Sequence, residues 1–424
     1  MKVRSKSNII LRHETFGASV YVPERDDIFL LDENIAKAVK EIGNKWAVPR
    51  ETNYSGLKRL ASLGIIDASG IDGETVPQNG YSGVHLIGDF PTTPIVKKPL
   101  LVNCFATSWC PLKCVYCHAD DLMDTDTRRN EEDEQTSVTA KLATRLDALV
   151  YVVTGGDPIT RPKRTIALLK ELPPNSAIVL DTSGVGHIED LIAILKTREI
   201  HLRVSIDSMD PKINNMLRPI NKKDFEILSK NGSGTLDYST KAIEIGHRLG
   251  TGVSIQTVIT KHNDSLEHLL NLRDWLYSRG VKNWILHVAT NAGKANKVFL
   301  ANKKKYGNTA NAGVFPDPKI SGVLRVLVER TTQEGLDMDI RTTNASPAPN
   351  SVFLLGSVGS LFVQSYGTAK ATKRKLEFQE SELDGMWGRY SDVGHVSRYT
   401  NLDMATEKQH LSIKIEFPLY PTNS

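Results

Sequence analysis

The sequence predicts an α/β protein. From Leu100 onward, six short apolar runs alternate with amphipathic helical stretches, the signature of parallel strands joined by helical crossovers. The chemically distinctive residues fall just after those runs, at the C-terminal ends of the expected strands, where βα architectures place functional loops. At 424 residues the chain also exceeds the usual size of a single core, so two or three domains are expected. Six strands make an incomplete barrel, spanning residues 96–315, with a small unit before it (1–95) and an α+β extension after it (316–424).

In chain order, Val20 and Tyr21, then Ile28, Phe29 and Leu30, read as strands around an acidic turn. Helices fit Glu33 to Ile42 and Tyr54 to Leu63, the second stopped by Gly64. Ser69 to Lys98, rich in Gly, Pro, Asp and Ser, reads as a surface connector. The six strands are expected at Leu100–Phe105, Leu149–Thr154, Ala177–Asp181, His201–Ile206, Gly252–Ile259 and Asn283–Val288, with helices around Val138–Leu146 and Tyr238–Leu249 among the crossovers. Beyond Asn291, Ile320 to Glu334 reads as an amphipathic helix, and Val352–Leu355 with Leu361–Gln364 as a hairpin around Gly356 and Gly359.

Composition narrows the function classes. With 40% hydrophobic and 24% charged residues the chain reads as an ordinary soluble globular protein. A net charge of +4, from 53 basic and 49 acidic residues, offers no large field for nucleic acid. The runs Lys303–Lys305 and Lys373–Lys375 read as solvated surface. No stretch is long and apolar enough for a membrane span, and Met1 to Arg12 lacks the apolar core of a signal peptide. The expected location is the cytoplasm, whose reducing conditions keep thiols available for metal binding.

Three of the four cysteines, Cys110, Cys114 and Cys117, are spaced by three and then two residues. Thiolates at such spacing wrap a single iron or zinc centre without closing a long loop. Three ligands leave one position open, which is where chemistry can occur. Two closed alternatives use the neighbouring residues: Cys104 as a fourth ligand of an iron–sulfur or zinc binding module, or His118 completing a zinc site. Cys104 also fits a buried strand position, and His118 directly follows Cys117, which makes convergence on one tetrahedral centre awkward.

The Cys-x-x-x-Cys-x-x-Cys loop, with Tyr116 before its last cysteine, resembles the cluster loop of radical S-adenosylmethionine enzymes. The resemblance spans about Pro99 to Val288 and implies a partial (β/α)6 barrel, one [4Fe-4S] cluster on the three cysteines, and S-adenosylmethionine chelated to the fourth iron. One electron, from a donor such as flavodoxin or ferredoxin, then yields a 5′-deoxyadenosyl radical that abstracts hydrogen from substrate. It also implies residue roles. Tyr116 would orient adenine, and Gly155, Gly156 and Asp157, similar to a Gly-Gly-Glu motif, would hold the methionyl amine. Ser205 and Arg218 would hold the carboxylate, Arg218 through its planar fork, and Gln256 would meet adenine or ribose. Thr182, Ser183 and Gly184 resemble the family's Thr-Asn-Gly turn, and His287 faces substrate or packs.

The N-terminal strand–helix–helix order resembles winged-helix-like peptide-recognition elements of peptide-modifying radical enzymes, so a ribosomally made peptide is the expected substrate and epimerisation or cross-linking the expected reaction. A small molecule such as a nucleotide or sugar is the alternative. The C-terminal hairpin with Leu383, Met386, Trp387 and Arg398 resembles the framework of a SPASM extension, without cysteines.

Overall fold

The computed structural model describes residues 2–6, 8–49, 54–69, 80–81, 84–92, 94–120, 123, 133–220, 234–289, 293–306, 313–342, 352–359, 361–364, 374–376 and 419–421. The six expected strands form at Leu101–Thr107, Val150–Gly155, Ala177–Thr182, Ile200–Ser205, Val253–Ile259 and Asn283–Val288. Each pairs in parallel with the next in sequence order. Such strands are covered on both faces, which is why they read as nearly continuous apolar runs: Val150 to Val153 are all buried.

Two strands from the C-terminal segment enlarge this sheet. Asp339–Thr342 adds in parallel beside Asn283–Val288, and Val352–Leu355 adds in parallel beside Leu101–Thr107. The expected hairpin is present, Val352–Leu355 running antiparallel to Leu361–Gln364. Its first strand is also an edge strand of the barrel, because Phe353 and Leu355 enter the main core. Leu383, Met386, Trp387 and Arg398 lie outside the described residues.

The crossover helices start and stop on recognisable signals. Ser265 caps Leu266–Tyr277 by accepting from His268 N, Pro162 opens Pro162–Glu171, and Gly250, at φ 68°, ends Thr235–Leu249 in the left-handed conformation. None of the described helices is long and apolar enough to cross a membrane.

The N-terminal segment is more elaborate than its sequence suggests. Gly17–Val22 and Asp27–Asp32 pair as a hairpin, flanked by Ile10–Glu14 and by Val84–Ile87. That last strand corrects the reading of Ser69–Lys98 as a plain connector: the run Val84 to Ile87 is short, but its ends are buried against the hairpin. A second sheet joins Lys2–Ser5 to Ala47–Pro49 and Ile66–Ser69. Helices Glu33–Ile42 and Tyr54–Ser62 form as expected.

Strand alternation sends the hairpin's side chains two ways. Val20, Val22, Phe29 and Leu31 pack on Ile35, Val39, Leu57 and Leu60 of the two helices. Tyr21, Ile28 and Leu30 belong to the barrel's core. The acidic turn between the strands is consequently buried. Arg25 Nη1 donates to Asp339 (2.8 Å), Arg341 Nη1 lies 2.6 Å from Asp27 Oδ1, and Asn283 Nδ2 donates to the carbonyl of Glu24 (2.8 Å). Between them, Asp26 accepts both Nε (3.0 Å) and Nη2 (2.7 Å) of Arg203 and a bond from Ser254 Oγ (3.0 Å). Asn283, Ser254 and Asp339 stand at the N-terminal ends of their strands, so the turn closes the barrel floor, opposite the cysteine loop.

Candidate active site

The cysteine loop leaves the C-terminal end of Leu101–Thr107 and is held from three sides. Gly156 N donates to Thr107 O (2.7 Å) and Asp157 N to Trp109 O (3.0 Å). Lys113 N and Val115 N donate to the carbonyls of Pro219 (2.8 Å) and Leu217 (3.0 Å), and Lys294 N donates to that of Cys117 (2.9 Å). Glycines permit this closeness. A Cβ on Gly155, at φ 131°, would lie 2.1 Å from Thr107 O, and one on Gly156 would lie 1.9 Å from Trp109 O. Gly293, which sequence reasoning missed, plays the same part against the Cys117 carbonyl, 2.3 Å from where its Cβ would be.

The loop opens into a cavity of ≈ 490 Å³. Cys110, Cys114, Cys117 and Tyr116 line it, and so do Gly155, Gly156 and Asp157 at the next strand end, together with Ser205, Arg218 and Gln256. Every residue expected at the site is therefore brought to one cavity. His118 and His287 line it as well. Cys104 does not: it alternates with the cavity-lining Asn103 and Phe105 and points into the barrel's outer core, where burial pushes its thiol up to about 12. The closed four-cysteine module is thereby corrected, since adjacent strand residues face opposite sides of the sheet.

Burial also raises the thiols of Cys110 and Cys114 and pushes that of Cys117 up to about 12. Among the described residues no three His, Cys, Asp or Glu side chains surround one point as a single ion requires. A four-iron cluster does not ask for that, because each thiolate takes a different iron.

Within the loop itself, Tyr116 donates its hydroxyl to Asp207 Oδ2 and accepts Arg218 Nη1 at 2.8 Å. Asp207 Oδ1 accepts from Val258 N (2.9 Å). Burial raises the Asp207 carboxyl, opposed by the charge of Arg218, which lies 3.6 Å away. Arg218 is 6% exposed, which removes it from the surface, and its Nε has no partner. Gln256 Oε1 is likewise buried without a partner. Two orphaned polar groups beside an open three-cysteine loop are what a polar cofactor with carboxylate and hydroxyl groups would satisfy.

Asp157 is engaged already. Its carboxylate accepts Thr182 Oγ1 (2.7 Å), Ser183 N (2.8 Å) and the Ser183 hydroxyl, tying the second and third strand ends together. Burial raises this carboxyl, and the bonds from Ser183 and Thr182 oppose the rise. The cavity also holds Asp181, which the sequence did not mark because it reads as a strand-end acid, and Arg203, which opens the run to Arg218 that resembles a carboxylate-binding segment.

A parallel α/β barrel that gathers three closely spaced cysteines and a buried arginine at its strand ends defines a cluster-and-cofactor enzyme. Residues 105–276 match the Radical SAM superfamily, so the chain carries a radical S-adenosylmethionine domain; enzymes of that superfamily use a [4Fe-4S] cluster and S-adenosylmethionine. Among solved structures, Streptococcus suis SuiB bound to precursor peptide SuiA is 15% identical, with 97% of this chain and 98% of that one covered at a TM-score of 0.52. SuiB alone is 14% identical, covering 97% and 99% at 0.52.

Proposed function

We propose that this enzyme modifies a ribosomally made peptide, by epimerisation or cross-linking, using one cluster on Cys110, Cys114 and Cys117. The observation that carries the cofactor site is the cavity's pairing of three thiols with the orphaned Arg218 Nε and Gln256 Oε1. The peptide reading is supported by the shared fold with SuiB, a protein that binds its precursor peptide, along nearly the whole chain. Bound there, the cluster and S-adenosylmethionine supply reductive cleavage and a radical that takes hydrogen from substrate. The protein's part is positional. Arg218 and Ser205 bind the methionyl carboxylate, the Gly155–Asp157 segment the amine, and Gln256 a ribose or adenine edge, while Asp207 fixes Tyr116 beside the adenine. A cytoplasmic flavodoxin or ferredoxin completes the reading as electron donor.

The test is anaerobic reconstitution to about four irons per chain, then incubation with reductant, S-adenosylmethionine and the small peptide encoded nearest to the enzyme's gene. Release of 5′-deoxyadenosine together with an altered peptide, by mass or by chiral analysis, is the expected result. 5′-Deoxyadenosine formed with every candidate peptide left intact, and a small metabolite consumed instead, would overturn the peptide reading.

Arg218 gives a separate check. Removing its charge-assisted pair should weaken S-adenosylmethionine binding by about 1.5–3 kcal/mol in Arg218→Ala, measured by calorimetry on protein that retains its iron. Unaltered affinity would limit Arg218 to fastening Tyr116.

A further inference from the structure

The cavity has a second polar pole below the proposed cofactor site. Asp181 and Arg203 are register partners on adjacent parallel strands, so their side chains stand side by side on the cavity wall. Arg203 is fixed from beneath: Asp26 takes its Nε and Nη2, and its Nη1 makes no hydrogen bond. The Asp181 side chain has no hydrogen bond either, although it is partly buried. Burial pushes its carboxyl up to about 6, with Arg203 opposing, so it is mostly ionised at neutral pH. The upper neighbours across the strands, Ser205 and Gln256, are also register partners and carry no net charge.

A fixed donor beside a fixed acceptor selects for a ligand that offers the reverse pair. An anion would satisfy Arg203 but face Asp181, and a cation would satisfy Asp181 but face Arg203, each juxtaposition being unfavourable in a low-dielectric cavity. A neutral amide suits both. We propose that Asp181 and Arg203 form a subsite for one peptide group of the substrate, Arg203 Nη1 donating to the carbonyl and Asp181 accepting the N–H. The bond whose hydrogen is removed would then be held by its own backbone, whatever its side chain. This rests on the peptide reading above and adds the part of the peptide that the cavity grips.

The probe is N-acetylglycine N-methylamide, a single capped peptide unit, titrated by saturation-transfer NMR into anaerobic enzyme loaded with S-adenosylmethionine. N-acetylglycine, which carries a carboxylate in its place, is the comparison. The wild-type protein should bind the capped amide at least several-fold more tightly than the carboxylate. Asp181→Leu, which removes the acceptor, should weaken amide binding tenfold or more. Asp181→Asn, which keeps a neutral acceptor, should restore most of it. Equal amide binding by wild type and Asp181→Leu would overturn the subsite while leaving the peptide reading intact. An equal loss in Asp181→Asn and Asp181→Leu would make the position a cation site instead, and tighter binding of N-acetylglycine would make it an anion site. Failure of wild type to bind the capped amide while still binding S-adenosylmethionine would remove both the subsite and the support for a peptide. Retained calorimetric binding of S-adenosylmethionine shows that each variant is folded, and Arg203→Gln, which removes the donor from the other side, repeats the test independently.

Discussion

Gly156→Ala should strip the protein of its cluster. The added methyl would lie 1.9 Å from Trp109 O and 2.8 Å from Cys110 N, both of them backbone atoms of the loop that carries the first cysteine. No rotamer relieves a Cβ clash, so the loop or the Val150–Gly155 strand end must move, and the Gly156 N to Thr107 O bond goes with it. Thiolates displaced by an ångström or more no longer match the fixed geometry of a four-iron core. Iron content after anaerobic reconstitution should fall close to the level of Cys114→Ala, and 5′-deoxyadenosine formation should be lost in both. Full iron occupancy in Gly156→Ala would show that the loop yields without consequence.

Asp26→Ala should destabilise the fold by about 3–5 kcal/mol, because it leaves Arg203 buried without its counter-ion. Burial alone would raise the Asp26 carboxyl, yet Arg203, then His201 and Arg341, hold it well below the usual carboxylate range. With its folded pKa depressed, its contribution is complete above the unfolded value and disappears as the pH falls through the folded one. Urea unfolding at neutral pH checks the loss, and a change within 1 kcal/mol would mean that water or relaxation replaces the pair. By the same contacts, removal of residues 1–95 would expose Ile28-, Leu30- and Tyr21-facing core and unpair Arg203, Arg341 and Asp339 together. A soluble barrel after that truncation is not expected.

The barrel's central strands were legible because burial on both faces writes an unbroken apolar run, as at Val150–Val153, and the site was legible because cysteine spacing needs no tertiary information. Asp339–Thr342 was not legible. Its sequence, Asp-Ile-Arg-Thr, is mostly polar, and it is a barrel strand only because Arg341 meets Asp27 and Asp339 meets Arg25, the latter 314 residues distant. Val84–Ile87 was hidden by the turn-forming residues before it. The acidic turn shows the same limit: Arg25, Asp26 and Asp27 look like a solvated loop until the basic groups that neutralise them are brought in from other strands. Asp181 and its pairing with Arg203 were passed over because a charge in a strand gains meaning only from its register partner.

The pairing of Leu101–Thr107 with Val352–Leu355 bears on how the protein is made. On the ribosome the cluster-bearing strand emerges long before its outer neighbour, and Arg25 long before Asp339. A nascent chain must therefore keep an open sheet edge and an unneutralised turn until Asp339–Thr342 and Val352–Leu355 have been made. Pairings this distant in sequence slow folding and prolong the exposure of aggregation-prone edges. Soluble yield should accordingly respond to chaperone supply and to slower translation.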